Sequence, residues 1–185
     1  MYKDVMSTLV RVLAADNIDN STKQSWQKLI DADLRQGGTG STLSVRDKFD
    51  YDCCLYALLH RQLETAHWDV LVAKYSTHKA NKVAAIGRLV CRTTSPAPQL
   101  FVYKALTAWA IPKLKGIQSG KRSTDMIVLP AEFYDMNTWD VDASPERTRR
   151  NWRARIQKRL EQLEEAAVIH ATHIFDAEQI FVDAA

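Results

Sequence analysis

Cysteine is scarce in this chain of 185 residues: the adjacent pair Cys53–Cys54 and the distant Cys91 are all there is. Neighbouring cysteines rarely bridge one another, and an odd total does not suit a secreted disulfide scaffold. No CxxC pair occurs, which excludes a zinc ribbon. Long apolar runs are also missing: no stretch approaches the roughly 20 apolar residues of a membrane helix. The N-terminus has no basic region followed by an apolar core. The expectation is a soluble, reducing, cytoplasmic setting with no membrane partner. A large charge excess is absent too. Net charge is +3 with 25% charged residues, so any argument for nucleic acid must rest on where the charge sits. A hydrophobic content of 46% is an ordinary globular balance.

Motifs for chemistry are thin. "GGTGST" and "GIQSGKRS" resemble phosphate loops faintly, but neither matches GxxxxGK[ST] and neither follows a buried strand. "HATH" sets His170 and His173 three apart, yet HExxH is absent and helix-end histidines explain the pair without a metal. His60, His67 and His78 stand isolated in sequence. Asp135, Asp140 and Asp142 suit helix capping and turn formation. No Ser/His/Asp or Cys/His nucleophile can be argued, so no metal or other cofactor is expected and the chain is read as a non-enzyme.

What is present is helical periodicity almost throughout. Met6, Leu9, Val10 and Leu13 repeat at helical spacing, as do Trp26, Leu29 and Ile30. The break "RQGGTGSTLS" separates an N-terminal helical arm, 1–36, from a body, 45–175, with a polar tail over 176–185. In the body, a helix over about 46–63 carries Phe49, Cys53, Tyr56, Leu59 and Leu63. The next carries Trp68, Leu71, Val72 and Tyr75, and a third sets Val83, Ile86 and Val90 inward. "SPAP" breaks the chain before "QLFVYKALTAWAI", and Pro112 ends that helix. Residues 113–124 form a basic loop holding Lys113, Lys115, Lys121 and Arg122. "DMIVLP" reads as a short strand or an extended connector, and "AEFYDMNTW" as a short helix. Ser144 is expected to cap the last long helix, over 145–175, with Pro145 at its first position. The fold class is all-α.

That last helix opens on "SPERTRRNWRARIQKRL", with seven Lys or Arg from Arg147 to Arg159. At 100° per residue Trp152, Ile156, Leu160 and Leu163 form a seam. Arg147, Arg150, Asn151 and Lys158 point away from it, and Arg149, Arg153, Arg155 and Arg159 lie on the shoulders. A short helix and a tight turn before it give a helix-turn-helix layout, whose second helix reads bases with its N-terminal residues. Arg suits guanine and Asn suits adenine, so Arg147, Arg150 and Asn151 are base-reading candidates. Arg149, Arg153, Arg155, Lys158 and Arg159 are phosphate candidates, with Lys121 and Arg122 adding backbone contacts. The bland reading is a solvated helix face; against it, the acids of "EQLEEAA" can pair with Lys158 and Arg159 but leave the first turns unneutralised.

"YDCCLYALLHRQLETAHWDVLVAKYS", followed by a basic helix, resembles phage late-gene antiterminators of the zinc-free Q type. "KRSTDMIVLPAEFYDMNTWD" with "SPERTRRNWRARI" is similar to a prophage family of lambdoid late regulators. The similarity spans roughly residues 46–170. It implies a sequence-specific DNA-binding factor, associated with the nucleoid, that loads onto bacterial RNA polymerase near a late promoter. There it contacts the sigma factor, then carries polymerase through terminators, with nascent RNA as a further partner near 113–124. The same segments resemble sigma-factor region 4, a helix-turn-helix. That comparison makes residues 79–92 a secondary DNA-binding segment, through Lys79, Lys82 and Arg88. The alternative expectation is a helix-turn-helix repressor or activator without antitermination.

Overall fold

The computed structural model describes residues 4–15, 45–113 and 127–181. Among them it holds six α-helices, two short 3₁₀ turns and no strand, so the fold is all-α. The helices are α1 (Val5–Ala15), α2 (Val45–Gln62), α3 (Thr65–Tyr75), α4 (Lys79–Arg92), α5 (Gln99–Ala110) and α6 (Glu146–Ala177). The 3₁₀ turns, Ala131–Tyr134 and Met136–Thr138, lie between α5 and α6. "IVLP" runs without strand pairing into the first turn. Trp26, Leu29 and Ile30 fall outside the described residues.

Side chains that satisfy orphan amides set two of the helix starts. Asp4 accepts the Ser7 amide at 2.8 Å ahead of α1, and that hydrogen bond, with the Ser7 hydroxyl, holds its carboxyl below the usual range. His78 accepts the Asn81 amide through Nδ1 at 3.2 Å and so caps α4. Pro98 stands at the N-cap of α5, where a missing N–H costs no hydrogen bond.

α3 sits at the centre, packed most heavily on α4 and α6. Six consecutive residues, Trp68 to Ala73, are buried, as expected of a helix surrounded on every side. Leu9, Val12 and Leu13 carry α1 into the same core, joined by Leu55 and Leu59 of α2 and by Ile156, Leu160 and Ile174 of α6. The N-terminal helix is therefore part of the body's core.

Three predicted faces are rotated. In α4 the inward residues are Lys82, Ala85, Ile86 and Leu89, while Val83 is 58% exposed. In α2 Asp52 is buried and Cys53 exposed. Asp52 accepts Arg11 Nε at 2.8 Å and so joins α2 to α1. In α1 Met6 and Val10 face outward.

The region before α6 is fastened to α5. Trp139 is fully buried, meets Phe101 edge-on at 5.5 Å, and donates its indole N–H to the Phe133 carbonyl at 2.7 Å. Tyr134 donates to the Ile111 carbonyl at 2.7 Å, and Lys104 to that of Thr138 at 2.7 Å. Ser144 does not cap α6: Pro145 occupies the N-cap position and no side chain caps it. Instead Asp140 gathers the incoming chain, accepting the amides of Asp142 at 3.1 Å and Ser144 at 2.8 Å.

Candidate nucleic-acid interface

α6 has 32 residues and is therefore about 48 Å long. Its seam is as the periodicity predicts: Ile156, Leu160, Ala167, Ala171, Ile174 and Phe175 are buried. Trp152 packs edge-on against Phe101 at 5.6 Å. This anchorage turns the opposite face and the adjoining shoulder to solvent over the first four turns. Arg147, Asn151, Arg155, Lys158 and Arg159 are all exposed there, along about 18 Å of helix. Among the described residues none of Arg147, Arg155, Lys158 and Arg159 is in an ion pair.

The other basic candidates on α6 are engaged or partly shielded. Arg150 pairs with Glu146, one turn earlier, at 2.5 Å. Arg153 lies over the Trp139 ring, 5.5 Å from its centroid, but stays exposed. Arg149 is only partly exposed, and its Nε is shielded without a hydrogen-bond partner. Its charge acts on Asp140. Burial raises that carboxyl, but the hydrogen bonds from Ser144 and Asp142, with Arg149, outweigh it and hold the carboxyl low. A recess of about 410 Å³ between the 3₁₀ turns and α6 is lined by Arg150, Arg153, Asn137 and Gln157, and also by Asp135 and Glu146. The positive strip is thus strongest toward Arg155–Arg159 and tempered near Glu146.

Among the described residues no acid of "EQLEEAA" forms an ion pair with Lys158 or Arg159. Glu164 turns inward, where both Lys74 and Tyr75 of α3 donate to it, and Lys74 lies 4.7 Å from the Trp109 ring centroid. Burial and this carboxylate push the Tyr75 hydroxyl far above its ordinary range. Glu161 accepts from Gln157 at 2.8 Å.

The helix-turn-helix expectation at α6 is corrected. What precedes α6 is a pair of 3₁₀ turns and the stretch 139–145, with no α-helix next to it. Residues 76–78 join α3 to α4, a three-residue connection of the length such motifs use. Two of the three basic candidates on α4 are committed internally, however. Lys82 is buried and donates Nζ to the Lys74 carbonyl at 2.9 Å, so it is no phosphate contact; burial pushes its ammonium down to about 8. Arg88 donates Nε to fully buried Asp69 at 2.8 Å, with Nη2 at 2.7 Å from the same oxygen. Lys79 is exposed at the start of α4. Lys121 and Arg122 lie outside the described residues, as does Lys115; Lys113 is exposed.

Two further features had no local signal in the sequence. Asp69 holds Arg88 closely and Arg92 at 3.6 Å. His67 and His170, 103 positions apart, bring their Nδ1 atoms to 3.1 Å. One ring donates and the other accepts, so the two must be in different tautomers or share a proton. Glu64 lies three positions before His67 in the sequence. Among the described residues no three His, Cys, Asp or Glu are grouped to hold a metal. No helix among them is long and apolar enough to cross a membrane. No protein-family model, curated protein or solved structure matches the chain.

Proposed function

We propose that this protein binds double-stranded DNA through the outer face of the first four turns of α6, and acts by binding and not by catalysis. The observation that carries the reading is the exposed set Arg147, Asn151, Arg155, Lys158 and Arg159, held on one side of a firmly anchored helix, with its four basic members in no ion pair among the described residues. A solvated face meant only for solubility interleaves both signs; here the nearest acids downstream are turned to the core or to glutamine. A strip about 18 Å long spans roughly five base pairs, enough for several phosphates.

Within it Arg147 and Asn151 are the base-reading pair, nearest the helix start. Arg155, Lys158 and Arg159 hold phosphates, with Arg153 beside them, while Arg150 must leave Glu146 to take part. The resemblance to zinc-free phage antiterminators supports placing this contact in transcription. In that setting the protein loads onto bacterial RNA polymerase with its sigma factor, and polymerase then reads through terminators.

The test is in-vitro transcription with bacterial RNA polymerase on the DNA flanking the gene, carrying a promoter followed by a terminator. Read-through should rise with the wild-type protein and not with an Arg147→Ala/Arg155→Ala/Lys158→Ala variant that melts normally. Altered initiation with unchanged termination would make it a plain activator or repressor. Duplex binding that is equally strong in the variant would remove α6 from the interface.

A further inference from the structure

Behind the basic strip, α4 and α6 leave a second surface of different chemistry. It is a groove of about 380 Å³ whose floor is Leu89, Leu160, Leu163 and Ala166. One arginine stands on each wall, Arg92 from α4 and Arg159 from α6, and among the described residues no acidic one lines it. Both side chains are exposed, and Arg92 is held only by a long ion pair to Asp69. Asp69 faces two arginines with a single carboxylate, and Arg88 holds one oxygen at 2.7 Å. Arg92 is left at 3.6 Å from the other oxygen, beyond hydrogen-bond length, and that oxygen makes no hydrogen bond. Two guanidinium charges therefore share one carboxylate behind this wall, and Arg159 opposite has no ion pair among the described residues.

We infer that this groove receives an acidic amphipathic helix of a partner protein: apolar side chains at helical spacing on the leucine floor, carboxylates against Arg92 and Arg159. An apolar floor rules against DNA, whose outer surface is phosphate. A small ligand normally buries most of its own surface, which a groove open along one side does not allow. An amphipathic helix, by contrast, offers one apolar face and leaves the other in water. Arginine on both walls selects acidic flanks and disfavours basic ones. The inference does not depend on the DNA reading, although Arg159 borders both surfaces.

The experiment is selection from a phage-displayed library of randomised helical peptides on the full-length protein, followed by fluorescence anisotropy with the enriched peptides. Two variants accompany it. Ala166→Trp fills the groove from an exposed helix position, and Arg92→Gln removes one wall charge. Expected is enrichment of acidic sequences with Leu or Phe at helical spacing, binding at least tenfold weaker to each variant. DNA binding should be unchanged in Ala166→Trp, which also reports that the variant is folded. Conversely, an Arg147→Ala/Arg155→Ala/Lys158→Ala protein should keep peptide binding, so failure of the DNA reading leaves this result legible. Absence of enrichment over Ala166→Trp, or enrichment of basic or uncharged peptides, would overturn the inference. So would wild-type dimerisation that Ala166→Trp abolishes, which would make a second copy of the chain the occupant.

Discussion

Lys82 illustrates how one residue changes meaning when its surroundings are known. By type it is a phosphate contact; in place, its ammonium is spent on the Lys74 carbonyl at 2.9 Å, at the end of α3. Burial lowers its pKa to about 8 from 10.5. Between those values the unfolded chain keeps a proton that the folded one has released, so stability rises with pH across that window. Below about 8 both states carry the proton, and the full desolvation cost stands. Replacing Lys82 by Met should remove this slope and stabilise the protein at pH 7. The gain is at most about 3 kcal/mol, less about 1 for the lost hydrogen bond. Urea unfolding at pH 7.5 and 9.5 checks it. An equal slope in both proteins would refute the assignment. Tyr75 works in the opposite sense: its raised pKa keeps the folded state protonated, so its contribution is lost only above about pH 10. The Asp69 cluster gives a second residue-scale prediction. Arg88→Ala leaves a fully buried carboxylate with only a distant partner and should cost about 2–3 kcal/mol, below the range for wholly buried pairs because Arg88 is itself half exposed. Arg92→Ala should cost under about 1 kcal/mol. The reverse order in denaturation midpoints would mean that Arg92 is the true counter-ion.

At the scale of elements, the seam of α6 was legible because Trp152, Ile156, Leu160, Leu163, Ala167 and Ile174 repeat at a single period over many turns. Its start was not. A serine before a proline reads as a cap by residue type alone, whereas the chain turns on Asp140 and passes through Ala143 at φ 50°. That left-handed backbone strains any residue with a Cβ. Ala143→Gly should therefore stabilise the protein by about 1 kcal/mol, seen as a raised Tm with DNA affinity unchanged. A lowered Tm would mean that glycine's extra freedom in the unfolded chain outweighs the relief. α4 failed differently. Ala85, Ile86 and Leu89 form a seam as regular as Val83, Ile86 and Val90, and choosing between them needed knowledge that a lysine stem lies inside. Asp52, Asp69 and the His67–His170 pair were beyond reach. Their partners lie 41, 19 and 103 positions away, and no local period encodes such contacts. Basic residues were identifiable by type; which of them keep a free charge depended on the acids that folding brings to them.

For the molecule as a whole, a net charge of +3 gives little general attraction to DNA, so on the proposed reading affinity comes from the strip on α6 and scales with the cations that are free there. Each phosphate neutralised steepens the fall of log K with log salt by about 0.9 on duplex DNA. Lys158→Ala should flatten that slope by about this amount on cognate and scrambled duplexes alike. Glu146→Gln is the sharper test, because it adds no cation and only releases Arg150 from its 2.5 Å pair. An exposed pair of this kind contributes under about 1 kcal/mol to stability, so the variant should melt as the wild type does. Its DNA binding should nevertheless tighten, with a slope steeper by up to about 0.9. Lys82→Met and Arg88→Ala remove two further positive charges from the same protein and should leave the slope alone, since those charges are held by Lys74 and Asp69. If all four variants instead shift the slope in proportion to net charge, the attraction is a diffuse property of the surface and the strip on α6 has no special role. If only the α6 variants move it, the contact is local, and its length on the helix limits the duplex it covers to about half a turn.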